Sequence, residues 1–113
     1  MSVSGARGGL WERNILDYLR KEGLNAERLR LAGKEDEGDL VVREQSLTHI
    51  IEAKDVARWS LPEWWRQATV ERDHYAKHRG LDPADIVPLV VVKHRGKATS
   101  QGWVITTLEE YFA

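Results

Sequence analysis

Glu52-Ala53-Lys54 closes the run His49-Ile50-Ile51-Glu52-Ala53-Lys54, whose β-branched residues read as a strand. Side chains two residues apart on a strand leave from the same face. The Glu52 carboxylate and the Lys54 ammonium therefore share a face, with α-carbons about 6.6 Å apart after two steps of strand rise. Asp39 opens the preceding run, Gly38-Asp39-Leu40-Val41-Val42. Two acids and a lysine at adjacent strand ends can hold a divalent cation and orient a water. That equipment suits metal-assisted hydrolysis of a phosphodiester. A further carboxylate, Glu12, precedes Ile15 and Leu16 by three and four residues, so it falls on the apolar face of a helix. A carboxylate there must be paired, ligated or at an edge.

The elements that must position these groups follow from periodicity. Leu10 to Glu22 reads as a helix with Ile15, Leu16 and Leu19 inward, ended by Gly23. Residues 1–9 are expected to be a flexible arm in which Arg7 could grip DNA. Glu27 to Leu31 alternates as a strand. Leu40 to Val42 and Leu47 to Lys54 form a hairpin through Glu44-Gln45-Ser46. Ser60-Leu61-Pro62-Glu63 predicts a serine-capped helix start. That helix should run to Arg79, with Leu61, Trp64, Trp65, Ala68, Tyr75 and Ala76 inward, and stop at Gly80. Leu89 to Lys93, entered through Pro88, and Gly102 to Thr106 are the last strands. Thr107-Leu108-Glu109-Glu110 opens a short terminal helix. The order αβββαββ predicts one α/β domain over 1–113, with a mixed, mostly antiparallel central sheet flanked by helices.

Composition limits the partners. The 113 residues carry a net charge of −1, whereas nucleic-acid binders are usually basic. Acid is concentrated in Glu35-Asp36-Glu37-Gly38-Asp39, and base is spread over Arg7, Arg13, Arg20, Arg28 and Arg30 and again over Arg66 to Lys97. A bound Mg²⁺ would add positive charge where acid is densest. The chain has no cysteine, so no disulfide or thiolate zinc site is available and a cytoplasmic location is expected. Met1 to Leu10 lacks the apolar stretch of a signal peptide, and Ile86 to Val92 is too short to cross a bilayer. No membrane partner or small-molecule cofactor is expected. His74 and His78 have zinc-gripping spacing without the metalloprotease glutamate, and Gly33-Lys34 lacks P-loop spacing. Trp59, Trp64 and Trp65 suit core, dimer interface or stacking on unpaired bases.

Glu12, Asp39 and Glu52-Ala53-Lys54 resemble the pattern of the PD-(D/E)XK nuclease superfamily, with Gly38 where proline is usual. Arg7-Gly8, Glu12-Arg13, Arg30-Leu31-Ala32-Gly33, Asp39-Leu40-Val41 and Ile51-Glu52-Ala53-Lys54 resemble the archaeal-type Holliday junction resolvases. Val87-Pro88-Leu89-Val90-Val91-Val92-Lys93 followed by Gly102-Trp103 resembles that family's last two strands. The resemblance implies a restriction-endonuclease-like core and a Mg²⁺-dependent endonuclease, with Mn²⁺ as substitute. It implies a homodimer that makes paired nicks in four-way DNA junctions during recombination and repair. Asp39 and Glu52 would ligate the ion with the Ala53 carbonyl, and Glu12 would complete the shell. Lys54 would orient or deprotonate the attacking water. Arg13 and Arg30 would contact phosphate, and Tyr75 would stand for the family's aromatic residues late in the second long helix. A nicking, repair or restriction-type nuclease without junction preference, and an inactive DNA-binding module of the same fold, are the alternatives.

Overall fold

Alternating apolar side chains let one sheet carry a helix on each face. The computed structural model describes residues 3–30 and 35–113, with side chains in the first helix from Gly9 onward. Leu31 to Lys34 and the Arg7 side chain lie outside the described residues, and with them the expected end of the first strand and the Gly33-Lys34 pair. The elements are α1 (Val3–Lys21), β1 (Ala26–Arg28), β2 (Leu40–Arg43), β3 (Thr48–Lys54), α2 (Leu61–Arg79), β4 (Ile86–Val92), β5 (Trp103–Ile105) and α3 (Leu108–Phe112). Short 3-10 turns at Pro83–Asp85 and Thr99–Gln101 flank β4 and β5. The strands lie in the order β1-β2-β3-β4-β5. β3 and β4 are parallel and joined through α2; every other pair is antiparallel. The mixed sheet flanked by helices is the expected fold class.

Strand period two sorts the residues between the helices. Leu40, Val42, Ile51 and Val91 meet Trp11, Ile15 and Leu16 of α1. Val41 and Ile50 face the other way, onto Tyr75 and Ala76 of α2, and Val90 and Val92 meet Trp64 and Ala68. Trp11 also donates from its indole nitrogen to the Val91 carbonyl at 3.1 Å, which pins α1 to the sheet. The Asp39, Glu52 and Lys54 side chains share strand parity with Val41 and Ile50. They therefore lie on the α2 face, and α1 reaches them only round the sheet's end.

Several expectations are corrected. Residues from Val3 onward belong to α1 rather than to a flexible arm: once the Trp11-Ile15-Leu16 stripe is docked, each further upstream residue adds a helical hydrogen bond. Ser60 makes no side-chain cap; its carbonyl instead accepts from the Trp64 amide at 3.0 Å. Leu61 is exposed. β4 begins at Ile86, so Pro88 lies inside the strand and not at its entrance. The Pro88 carbonyl accepts from the Thr106 hydroxyl at 3.4 Å, so its nitrogen points to the side where β5 has already ended, at Ile105 opposite Val90. No ladder donor is missed there. Gly80 stops α2 in the left-handed conformation, and the Thr107 hydroxyl accepts from the Glu110 amide, both as expected.

Candidate active site

Asp39 is fixed from three sides. Its carbonyl accepts from the Leu29 amide at 2.9 Å, its amide donates to the Ile51 carbonyl at 3.0 Å, and its carboxylate accepts from the Ala53 amide at 2.8 Å. Gly38 makes the approach possible. Its φ is +105°, and a Cβ there would stand 2.8 Å from the Ile50 Cγ2. Its amide donates to the Asp36 carboxylate at 2.9 Å. Proline has neither that φ nor an amide hydrogen, so the usual proline has no place in this backbone.

Glu52 is buried beside Asp39, with 4 % of its surface exposed. Burial first, and then the Asp39 charge, push its carboxyl up to about 10. Asp39 is raised as well, chiefly by burial. Two carboxylates that crowd one dry space hold a proton between them at neutral pH. Lys54 points its ammonium at Glu52 at 3.4 Å and donates to the Gln67 side-chain oxygen at 3.0 Å. Gln67 in turn donates to Glu71 at 3.3 Å.

Glu71 is a carboxylate that the sequence reading passed over. It is 2 % exposed, and among the described residues its Oε1 is buried without a hydrogen-bond partner. Burial, and next the charge of Asp36, push it up to about 8. It lies three residues after Ala68 and four before Tyr75, on the buried stripe of α2. The rule that singled out Glu12 on α1 applies equally to Glu71 on α2. Asp36, read only as part of an acidic loop, also faces the group, since its charge raises both Asp39 and Glu71.

Glu12 is half-buried. Burial raises its carboxyl, and Asp39 is the largest charge acting on it, opposed by Arg28. Arg13 and Arg30 line one shallow groove of about 630 Å³ with Arg20 and Arg28, against Asp17 and Glu27. Tyr75, expected to contact DNA, is instead buried in the core under α2. Its ring is 1 % exposed, its hydroxyl accepts from Arg43 at 3.1 Å, and the Arg79 guanidinium lies 3.8 Å from its centre. His78 holds Glu37 at 2.5 Å and Glu35 at 2.8 Å, and Arg79 holds Glu37 at 2.7 Å. This end of α2 therefore anchors the acidic loop.

Among the described residues no three His, Cys, Asp or Glu stand ready-made round an ion. The donor set still suits a hard cation. Asp39 and Glu52 are paired acids that repel when ionised, and the Glu71 oxygen beside them has no partner. An all-oxygen set favours Mg²⁺ or Mn²⁺ over zinc.

The fold, a mixed five-stranded sheet with helices on both faces, has a counterpart among solved structures. The chain is similar to the solved structure of Hjc from Archaeoglobus fulgidus, a Holliday junction resolvase from an archaeal hyperthermophile. The TM-score is 0.54 and identity 20 %, over 82 % of this chain and 73 % of that one. No protein-family model and no curated protein matches the chain. No described helix is long and apolar enough to cross a membrane.

Proposed function

We propose that this chain is a divalent-metal-dependent DNA endonuclease that acts, as a homodimer, on branched DNA of the four-way-junction kind. The observation that carries the reading is the convergence of Asp39, Glu52, Lys54 and Glu71 on one face of a resolvase-like sheet. Asp39 and Glu52 would hold the ion, with the Ala53 carbonyl and Glu71 beside them and Glu12 reached through water. The bound cation supplies Lewis acidity toward water and phosphate.

The chain's own groups do the rest. Lys54, steadied by Gln67, orients the attacking water and places positive charge against the phosphate as charge develops there. Arg13 and Arg30 hold the flanking backbone, where planar guanidinium groups suit phosphate oxygens. Two-fold related protomers would supply the two equivalent sites that symmetric incision of a junction requires.

The test is cleavage of four-way junction, flap, single-stranded and duplex DNA in Mg²⁺ and in EDTA, with sedimentation for the mass. The expected result is paired nicks in the junction, none in EDTA, and a dimer. Equal cleavage of linear duplex leaves a nuclease without junction preference. Binding with no cleavage in Mg²⁺ or Mn²⁺ leaves a DNA-binding module.

A further inference from the structure

Trp103 and Lys54 stand in one row of the sheet. Lys54 pairs with Val92 of β4, and Val92 with Trp103 of β5. The parity that puts Lys54 and Val92 on the α2 face puts Trp103 there too. Two strand spacings separate them, roughly 10 Å across the sheet. The Trp103 ring is not core: the residue is 47 % exposed, and Trp59 is 44 % exposed. Trp64, by contrast, is 7 % exposed and packs on Val90 and Val92.

The half-exposed rings sit among cations. His94 stacks on Trp103 with centres 4.6 Å apart and planes 28° from parallel. The His94 ring is held by the Gln101 carbonyl, 3.2 Å from its Nδ1. Trp59, Trp103, His94, Lys93 and Arg95 line a recess of about 220 Å³. Asp55, buried beneath, holds Arg95 at 3.1 Å and Lys93 at 4.0 Å. One carboxylate against two cations leaves the recess net positive.

The recess adjoins the proposed catalytic group. The Lys93 amide donates to the Lys54 carbonyl at 2.9 Å. Lys54 also lies 5.9 Å from the centre of the Trp64 ring, and Trp64 is 6.1 Å from Trp59. An aromatic path therefore leads from the proposed cleavage site to the recess.

We propose that Trp59, Trp103 and His94, flanked by Lys93 and Arg95, form a stacking subsite for one unpaired nucleobase of the DNA strand that crosses the catalytic carboxylates. The inference rests on the nuclease reading and deepens it, because it says which part of a branched substrate is recognised. Aromatic faces take any base, and flanking cations take its phosphate. A paired base inside duplex DNA cannot reach such a recess, whereas bases at a branch point unstack at small cost. The subsite thus favours a branch over a continuous helix.

The test needs no cleavage. A short oligothymidine is titrated into the metal-free protein while tryptophan fluorescence is followed, and duplex affinity is measured in parallel. The expected result is quenching on binding. Trp103→Leu should weaken oligothymidine binding about tenfold, with duplex binding unchanged, and Trp103→Phe should restore most of it. Thermal melting confirms that each variant is folded; Trp59→Leu, in the same recess, is a second probe should Trp103→Leu unfold. Absence of quenching, or equal losses on oligothymidine and duplex, overturns the subsite. Junction cleavage assayed separately keeps the two readings apart. Metal-dependent cleavage with no loss in Trp103→Leu rejects the subsite alone. Oligothymidine binding without cleavage by the wild type rejects the nuclease alone.

Discussion

Glu52, proposed as a cation ligand, is placed at a cost in stability. Its carboxyl is raised by burial and by Asp39, so the folded chain holds a proton that the unfolded chain releases. Stability conferred by that proton is present at low pH and is lost as pH rises from the ordinary 4.5 toward about 10. Glu52→Gln should therefore stabilise the metal-free protein by on the order of 1 kcal/mol near neutral pH, read as a higher melting temperature, and the gain should grow with pH. The same change should lower cleavage by orders of magnitude, because a ligand is lost. Calorimetry across pH beside a junction-cleavage assay checks both halves. A lower melting temperature would mean that Glu52 is satisfied as an ion.

Gly38 carries a second prediction at this scale. Gly38→Ala forces a side chain into φ +105° and against Ile50. It should cost about 2 kcal/mol in urea unfolding and displace Asp39 with it. The Glu-x-Lys pair was legible in the sequence because strand parity alone puts both groups on one face. Glu71 and Asp36 were harder to see. Glu71 comes from an element that meets the strand only in three dimensions, and Asp36 looked like one more acid in a solvated loop.

At the scale of elements, the last turn of α2 and the loop before β2 act as a clasp. Glu37 and then Glu35 raise the pKa of His78. Burial opposes the charge on Glu37, but hydrogen bonds from Arg79 and His78 win and lower its pKa. Glu35 is lowered by His78 and Lys77. The imidazolium contribution is complete below the ordinary 6.5 and fades as pH rises through the raised His78 value. The carboxylate contributions are present above the ordinary 4.5 and fade as pH falls through the lowered values. The clasp is therefore complete between these limits. The melting temperature lost in His78→Gln should be largest at about pH 6 and should shrink at alkaline pH. A loss that is flat with pH would assign His78 a packing role only.

The α1–β1 groove gives a separate element-scale expectation. Arg13→Ala and Arg30→Ala should each weaken DNA binding whatever the sequence, and each should lower the slope of log affinity against log salt by about one. Fluorescence anisotropy at several salt concentrations measures this. The resemblance names Arg13 and Arg30 as phosphate contacts; Arg20 and Arg28 line the same groove because β1 packs beside α1. The position of Pro88 was misread for a related reason. Proline usually marks a strand's entrance, and whether its nitrogen faces a partner depends on where β5 ends.

For the whole molecule, element order was legible from end to end because helical and strand periods alternate clearly. Which helix covers the acids was not legible, since strand parity fixes a shared face without naming the helix above it. The parallel pairing of β3 with β4 sets an order of assembly. The β2–β3 hairpin can bring Asp39 and Ala53 together across 14 residues, a short loop to close. β3 and β4 can pair only after the whole α2 crossover is laid. The hairpin should thus form early, and the barrier should fall where α2 swings over it and seals Glu71 against Asp39 and Glu52. Refolding after a denaturant jump should then run faster in Mg²⁺ than in EDTA, with the hairpin's own formation indifferent to the ion. Equal stopped-flow rates would place the sealing of the acids after the barrier, and the ion would act instead as a brake on unfolding.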